Sequence, residues 1–103
     1  AWRIYIPSRP ELVKGNKWSP EFYSAADVRE VVDFAEQLFI TVVPTIETPG
    51  HCLAALAAYP ELACTPGPFE VPKTRIGTYN DIMCVGKKEL ELFARDVFAE
   101  VAR

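Results

Sequence analysis

An α/β fold is predicted by three features of the 103-residue sequence: an amphipathic helix signalled at Ser24, a β-branched run over residues 40–46 directly after it, and a second amphipathic stripe over residues 90–101. A helix followed at once by an apolar strand is half of a βα repeat, the unit that builds parallel sheets. Half of the residues are hydrophobic and 12% are aromatic, so the composition calls for a packed interior. A chain of this length is one domain at most, and it has little margin between buried apolar surface and chain entropy.

Along the chain, residues 2–6 set Trp2, Ile4 and Ile6 against Arg3 and Tyr5, the alternation of a short half-buried extended piece that Pro7 and Pro10 then break. From Ser8 to Pro20 the mixture of Pro, Gly15, Asn16, Ser19 and charges reads as an ordered loop anchored by Leu12, Val13 and Trp18. Ser24-Ala25-Ala26-Asp27 is a variant capping box, and Tyr23 and Val28 suit a hydrophobic staple. Val28, Val31, Val32, Ala35, Leu38 and Phe39 then recur at helical spacing, with Arg29, Glu30, Asp33, Glu36 and Gln37 on the other face.

Residues 40–46 show almost no polar alternation, as expected of a strand covered on both faces, with Pro44 near its carboxyl end. Residues 53–59 form an Ala and Leu run that reads as a short helix ended by Pro60. Pro66, Gly67, Pro68, Pro72 and Gly77 impose a long irregular loop. Leu90, Phe93, Ala94, Val97 and Val101 make the last helical stripe, outside which lie Lys88, Glu91, Arg95 and Glu100. A single buried strand must pair with something, and the last helix stops without a cap, so the chain is expected to be an incomplete unit.

Composition also excludes functions. A net charge of -3 with scattered Lys and Arg offers no field to hold a phosphate backbone, so nucleic acid is not an expected partner. No apolar run reaches the ~20 residues that span a bilayer. Cys52, Cys64 and Cys84 are an odd number without C-x-x-C spacing, which argues against a disulfide framework and a zinc knuckle. They read as buried thiols acting as small hydrophobes, with a Cys64–Cys84 bridge open in an oxidising compartment.

The densest polar stretch lies just past the apolar strand, where ligands gather in α/β sheets: Thr45, Glu47, Thr48, Pro49, Gly50 and His51, the last being the only histidine. A histidine held by one carboxylate can steer or charge-balance a second, which is how acid catalysts near neutral pH are tuned. The plain alternative is that His51 satisfies a loop carbonyl and Glu47 is solvated. Ser-His-Asp order, phosphate-binding glycine loops and metal spacing are all missing from the sequence, so no metal and no cofactor is expected.

Residues 43–51, VPTIETPGH, followed by AALAAYPEL over residues 54–62, resemble the PEI(D/E)-x-PGH and AALAAYPEL signature of glycoside hydrolase family 20. The likeness extends to Trp2-Arg3-Ile4, to the helix opening over residues 23–32, to residues 80–87 and to the helix over 93–101, so it covers in effect the whole chain. It implies a partial (β/α)8 TIM barrel, with residues 1–103 supplying the loop after strand 2, helix 2, strand 3, its long loop and helix 3, and without the N- and C-terminal parts of that single catalytic domain.

The implied activity is that of a retaining β-N-acetylhexosaminidase acting on terminal N-acetylhexosamine of oligosaccharides or glycans. The acetamido oxygen of the substrate attacks the anomeric carbon, an Asp orients it, and the adjacent Glu protonates the leaving oxygen. Neither acid is in this chain, so residues 1–103 alone are expected to be inactive. The resemblance makes His51 the hydrogen-bond partner of that absent acid and Glu47 a supporting acid, and leaves Trp2 and Arg3 as packing and loop-shaping residues, with Cys84 and Val85 near the pocket rim. It also implies a periplasmic, secreted or lysosomal setting, and the remainder of the barrel or another copy of the chain as a partner.

Two positions depart from the family pattern. Thr45 stands where a Glu is usual, removing an acceptor and a negative charge near His51. Phe39 stands where a Gly precedes strand 3; a left-handed backbone there costs Phe on the order of 1 kcal/mol, unless the connection is rebuilt. The competing expectation is a non-catalytic carbohydrate-binding or degenerate barrel module, with Trp18, Phe69 and Tyr79 as stacking platforms for sugar rings.

Overall fold

The computed structural model describes residues 2–15, 18, 20–73 and 79–103; Asn16, Ser19 and Gly77 of the expected loops lie outside these. Three α-helices organise the described residues: α1 (Ala25–Gln37), α2 (Leu53–Ala58) and α3 (Lys88–Val101). Short 3-10 turns at Pro10–Val13, ahead of α1, and Pro60–Leu62, directly after α2, both pack beside α2.

α1 starts where the sequence signals it. The Ser24 hydroxyl accepts from the Asp27 amide at 3.2 Å, and the Asp27 carboxylate accepts from the Ser24 amide at 2.7 Å, so two helix-end amides are satisfied reciprocally. Tyr23, expected to staple onto Val28, is instead 54% exposed, and its backbone makes a parallel bridge to Ile4, with Tyr5 N–H donating to Tyr23 C=O at 2.9 Å.

The end of α1 is a Schellman motif built on a phenylalanine. Phe39 has φ 59; its amide donates to Glu36 C=O at 3.0 Å, and the Ile40 amide reaches back to Ala35 C=O at 2.9 Å. A phenylalanine therefore adopts the left-handed geometry here without glycine. The ring is 99% exposed, so no packing within the described residues offsets the backbone cost.

The core sits around α2, which buries Leu53, Ala54, Ala55 and Leu56. Ile6, Leu12, Leu62, Met83, Phe93 and Val97 close over it. α3 joins through Phe93 and Val97, the centre of its predicted stripe, and Leu12 explains the Pro10–Val13 turn: Pro10 at the first turn position fixes the backbone so that Leu12 and Val13 point inward.

The apolar run 40–46 departs from expectation. Among the described residues it forms no ladder, and Ile40, Val42 and Val43 are 57%, 39% and 77% exposed. A strand of this composition is expected where both faces are covered, and α1 does not supply that cover: of its residues only Ala35 is buried, Val31 is more than half exposed, and so is Leu38 just after it.

Cys64 and Cys84 form a disulfide, which corrects their reading as thiols; Cys52 alone is a buried free thiol. Spacing could not reveal the pair because the 20-residue separation is closed by tertiary folding of the Pro-rich loop.

Candidate active site

The polar stretch after the apolar run passes through a cis Thr48–Pro49 peptide and Gly50 into His51, whose φ of 50 lies in the left-handed region. Histidine tolerates that region better than most side chains. Two residues later the buried helix α2 begins, so the stretch is tethered on that side by the core.

Thr45, Glu47 and His51 line one hollow of about 270 Å³ together with Trp2, Arg3 and the small residues Ala54 and Ala55. Helix α2 presents alanines here, which leaves room above it. The hollow thus combines a carboxylate, an imidazole, a hydroxyl and a guanidinium over an apolar floor, the mixture of few polar groups on an apolar lining that suits a small polar ligand.

Trp2 and Arg3 both make contacts that tie down neighbouring chain. The indole N–H donates to Ile4 C=O at 2.6 Å and the ring meets Phe93 edge-on at 6.1 Å. Arg3 Nη1 donates to Glu21 C=O at 2.8 Å, with the Glu21 carboxylate 4.0 Å away. Both also line the hollow, a role the sequence alone did not assign, because nothing local links Arg3 to Glu47.

The Cys52 thiol donates to Pro49 C=O at 3.1 Å, and burial pushes its pKa up, so it stays a neutral thiol beside His51. Val85, expected at the rim, is 73% exposed and lines a separate depression with Thr48 and Pro49. Among the described residues no three His, Cys, Asp or Glu side chains are grouped to hold a metal ion, and no helix is long and apolar enough to cross a membrane.

Of the three aromatics considered as stacking platforms, Trp18 is engaged by its indole N–H to Val71 C=O at 3.0 Å and by the Lys73 ammonium 5.3 Å over its ring. Phe69 packs against the core and shares an open depression with Tyr79, Glu70 and Asp81. Trp18 and Phe69 thus anchor their loops.

Comparison with known proteins matches residues 1–103 to Glycosyl hydrolase family 20, catalytic domain. A beta-hexosaminidase of Porphyromonas gingivalis is 44% identical over 111 residues, covering 99% of this chain and 14% of the relative. The crystal structure of a beta-N-acetylhexosaminidase from Bacteroides fragilis superposes with a TM-score of 0.83 at 37% identity, over 100% of this chain and 21% of that one. The Streptomyces plicatus N-acetyl-beta-hexosaminidase in complex with Thio-NAglucal gives a TM-score of 0.85 at 33% identity, over 99% of this chain and 21% of that one. The chain thus spans between about a seventh and about a fifth of the length of these relatives.

Proposed function

The chain belongs to glycosyl hydrolase family 20, and from that membership we propose that it is a stretch of the (β/α)8 catalytic barrel of a retaining β-N-acetylhexosaminidase, from the loop after strand 2 through helix 3. The observation that carries the reading is the hollow in which Glu47 and His51 come together at the end of the apolar run. Ligands of α/β proteins gather at that end of a strand.

On this reading the reaction proceeds by attack of the substrate's own acetamido oxygen on the anomeric carbon, while a carboxylic acid from a neighbouring strand protonates the departing oxygen. His51 hydrogen-bonds that acid and fixes its direction, and it balances charge as the proton leaves. Glu47 supports the sugar-side wall. Thr45 supplies a neutral hydroxyl where a second carboxylate would raise the negative charge around His51, so proton transfer there is governed by fewer titrating groups.

Two further observations favour the setting. The exposed apolar side chains Val31, Leu38, Ile40 and Val43 are the surface that neighbouring strands and helices of a barrel cover. The Cys64–Cys84 disulfide suits a periplasmic, secreted or lysosomal enzyme. The substrate class is the N-acetylhexosamine-terminated oligosaccharide or glycan.

The test is steady-state kinetics of the full-length protein on nitrophenyl N-acetyl-β-glucosaminide and galactosaminide. His51→Asn is expected to lower kcat roughly tenfold to a hundredfold, and Glu47→Gln by less, with the protein still folded. Unchanged kinetics in His51→Asn would remove the assigned role.

A further inference from the structure

The turn that carries His51 does little to hold itself in place. Thr48, Pro49 and His51 are exposed, and a Cβ built on Gly50 would meet nothing within 4 Å. Positioning a side chain for proton transfer requires a support from elsewhere. Residues 81–84 supply one. The Met83 amide donates to Pro49 C=O at 2.9 Å, and the Thr48 hydroxyl donates to the Met83 sulfur at 3.4 Å. The Cys52 thiol, which donates to the same Pro49 carbonyl, lies 4.0 Å from Asp81 C=O. Contacts from residues 81 and 83 therefore reach positions 48, 49 and 52, on both sides of His51.

Residues 83 and 84 are themselves fixed. Met83 is fully buried in the core and bridges antiparallel to Ala63, the Cys84 amide donates to Leu62 C=O at 2.7 Å, and the disulfide joins Cys84 to Cys64. Leu62 and Ala63 are each 1% exposed and follow α2 in the chain. The path runs from α2 through Cys64 and the disulfide to Met83, across to Pro49, and back through Cys52 to the start of α2. It is a closed ring of chain with His51 on it.

We propose that residues 81–84, pinned by the Cys64–Cys84 disulfide, are the strut that positions His51, with Met83 as the positioning residue; the claim rests on the reading of His51 given above. Without the disulfide, residues 83 and 84 are held beside Leu62 and Ala63 only by non-covalent contacts, and the entropy of the 20-residue loop acts against the strut. Reduction would loosen residues 81–84 and, with them, the turn.

The experiment uses the full-length protein with Cys64→Ala/Cys84→Ala, Thr48→Val and Thr48→Ser, read by hydrogen exchange and by kinetics. In the double cysteine variant the Met83 amide is expected to exchange at least about tenfold faster. kcat is expected to fall about tenfold with KM within about twofold, and the limb of the pH profile set by the acid to move. Thr48→Val should lower kcat severalfold, and Thr48→Ser, which keeps the hydroxyl donor, should restore it. Should the double variant fail to fold, the Thr48 pair carries the kinetic test.

Wild-type kcat and pH profile in a folded variant whose Met83 amide has lost protection would overturn the proposal, as would unchanged Met83 protection. If the wild-type protein hydrolyses no nitrophenyl N-acetylhexosaminide, the functional reading fails. Exchange at Met83 then still decides whether the strut holds the turn.

Discussion

Arg9 and Asp96 are joined across 87 positions of chain: the guanidinium donates from Nε and Nη2 to a single carboxylate oxygen at 3.0 and 2.8 Å. The same guanidinium lies 5.3 Å over the Tyr59 ring and 5.6 Å over Phe93. The pair is largely withdrawn from solvent, so removing one partner leaves the other poorly satisfied. Arg9→Met is expected to cost about 2 kcal/mol in denaturant unfolding of the full-length protein. A double-mutant cycle with Asp96→Ala should give a coupling of about 1 kcal/mol or more, and additivity would show that the pair contributes nothing.

Phe39 holds a left-handed backbone that favours glycine. Phe39→Gly is expected to raise stability by about 1 kcal/mol, seen as a higher denaturant midpoint. A loss instead would mean that the ring packs against parts of the protein beyond these residues.

Gly15 lies against α2. A Cβ there would sit 2.7 Å from the Ala54 carbonyl oxygen, a backbone atom that cannot swing away. Gly15→Ala is expected to lower stability by roughly 1–3 kcal/mol, the usual cost of overpacking. Because Ala54 also lines the hollow, KM is expected to rise in the same variant, whereas Gly50→Ala, with open space around it, should pack without a clash.

Asp27 and Cys52 contribute pH dependence of opposite sign. The Ser24 hydroxyl and amide hold the Asp27 carboxyl below its ordinary value, so its contribution is present above the ordinary carboxylate range and is lost as pH falls below it. Burial raises the Cys52 thiol, so the folded state binds its proton more tightly than the unfolded chain. Stability therefore declines as pH rises above about 8.5–9, the ordinary thiol range. Thermal unfolding from pH 3 to 10 is expected to show both slopes, with Asp27→Asn flattening the acid one and Cys52→Ala the alkaline one.

What was legible in the sequence was local. The capping box at Ser24, the stop at Pro60 and the stripe of Phe93 and Val97 each depend on residues within a few positions, and the structure has all three. The Glu47 and His51 stretch was visible because unusual residues are concentrated there. Long-range closure was not legible. The disulfide, the Met83 amide on Pro49, Arg3 in the hollow and the Trp18 indole on Val71 each join segments about 20 or more positions apart. The β-branched run 40–46 illustrates the limit from the other side: its composition states that it should be covered, and no local pattern states by what. The left-handed Phe39 was approached from the family pattern, since the residue type itself points away from that conformation.

Expressed by themselves, residues 1–103 are expected to show no turnover of a nitrophenyl N-acetylglucosaminide and to self-associate through the exposed apolar faces of α1 and the 40–46 run. Sedimentation should show a concentration-dependent mass; a monodisperse monomer that unfolds cooperatively would contradict the view that these faces belong to a larger barrel.

The most direct measurement of the central claim is the anomeric configuration of the first sugar released by the full-length protein, followed by proton NMR during hydrolysis of a nitrophenyl N-acetyl-β-glucosaminide. The account requires turnover that yields the β-anomer first, before mutarotation, and a rate that collapses in His51→Asn. Initial release of the α-anomer, or no hydrolysis of any N-acetylhexosaminide by the folded protein, would contradict it.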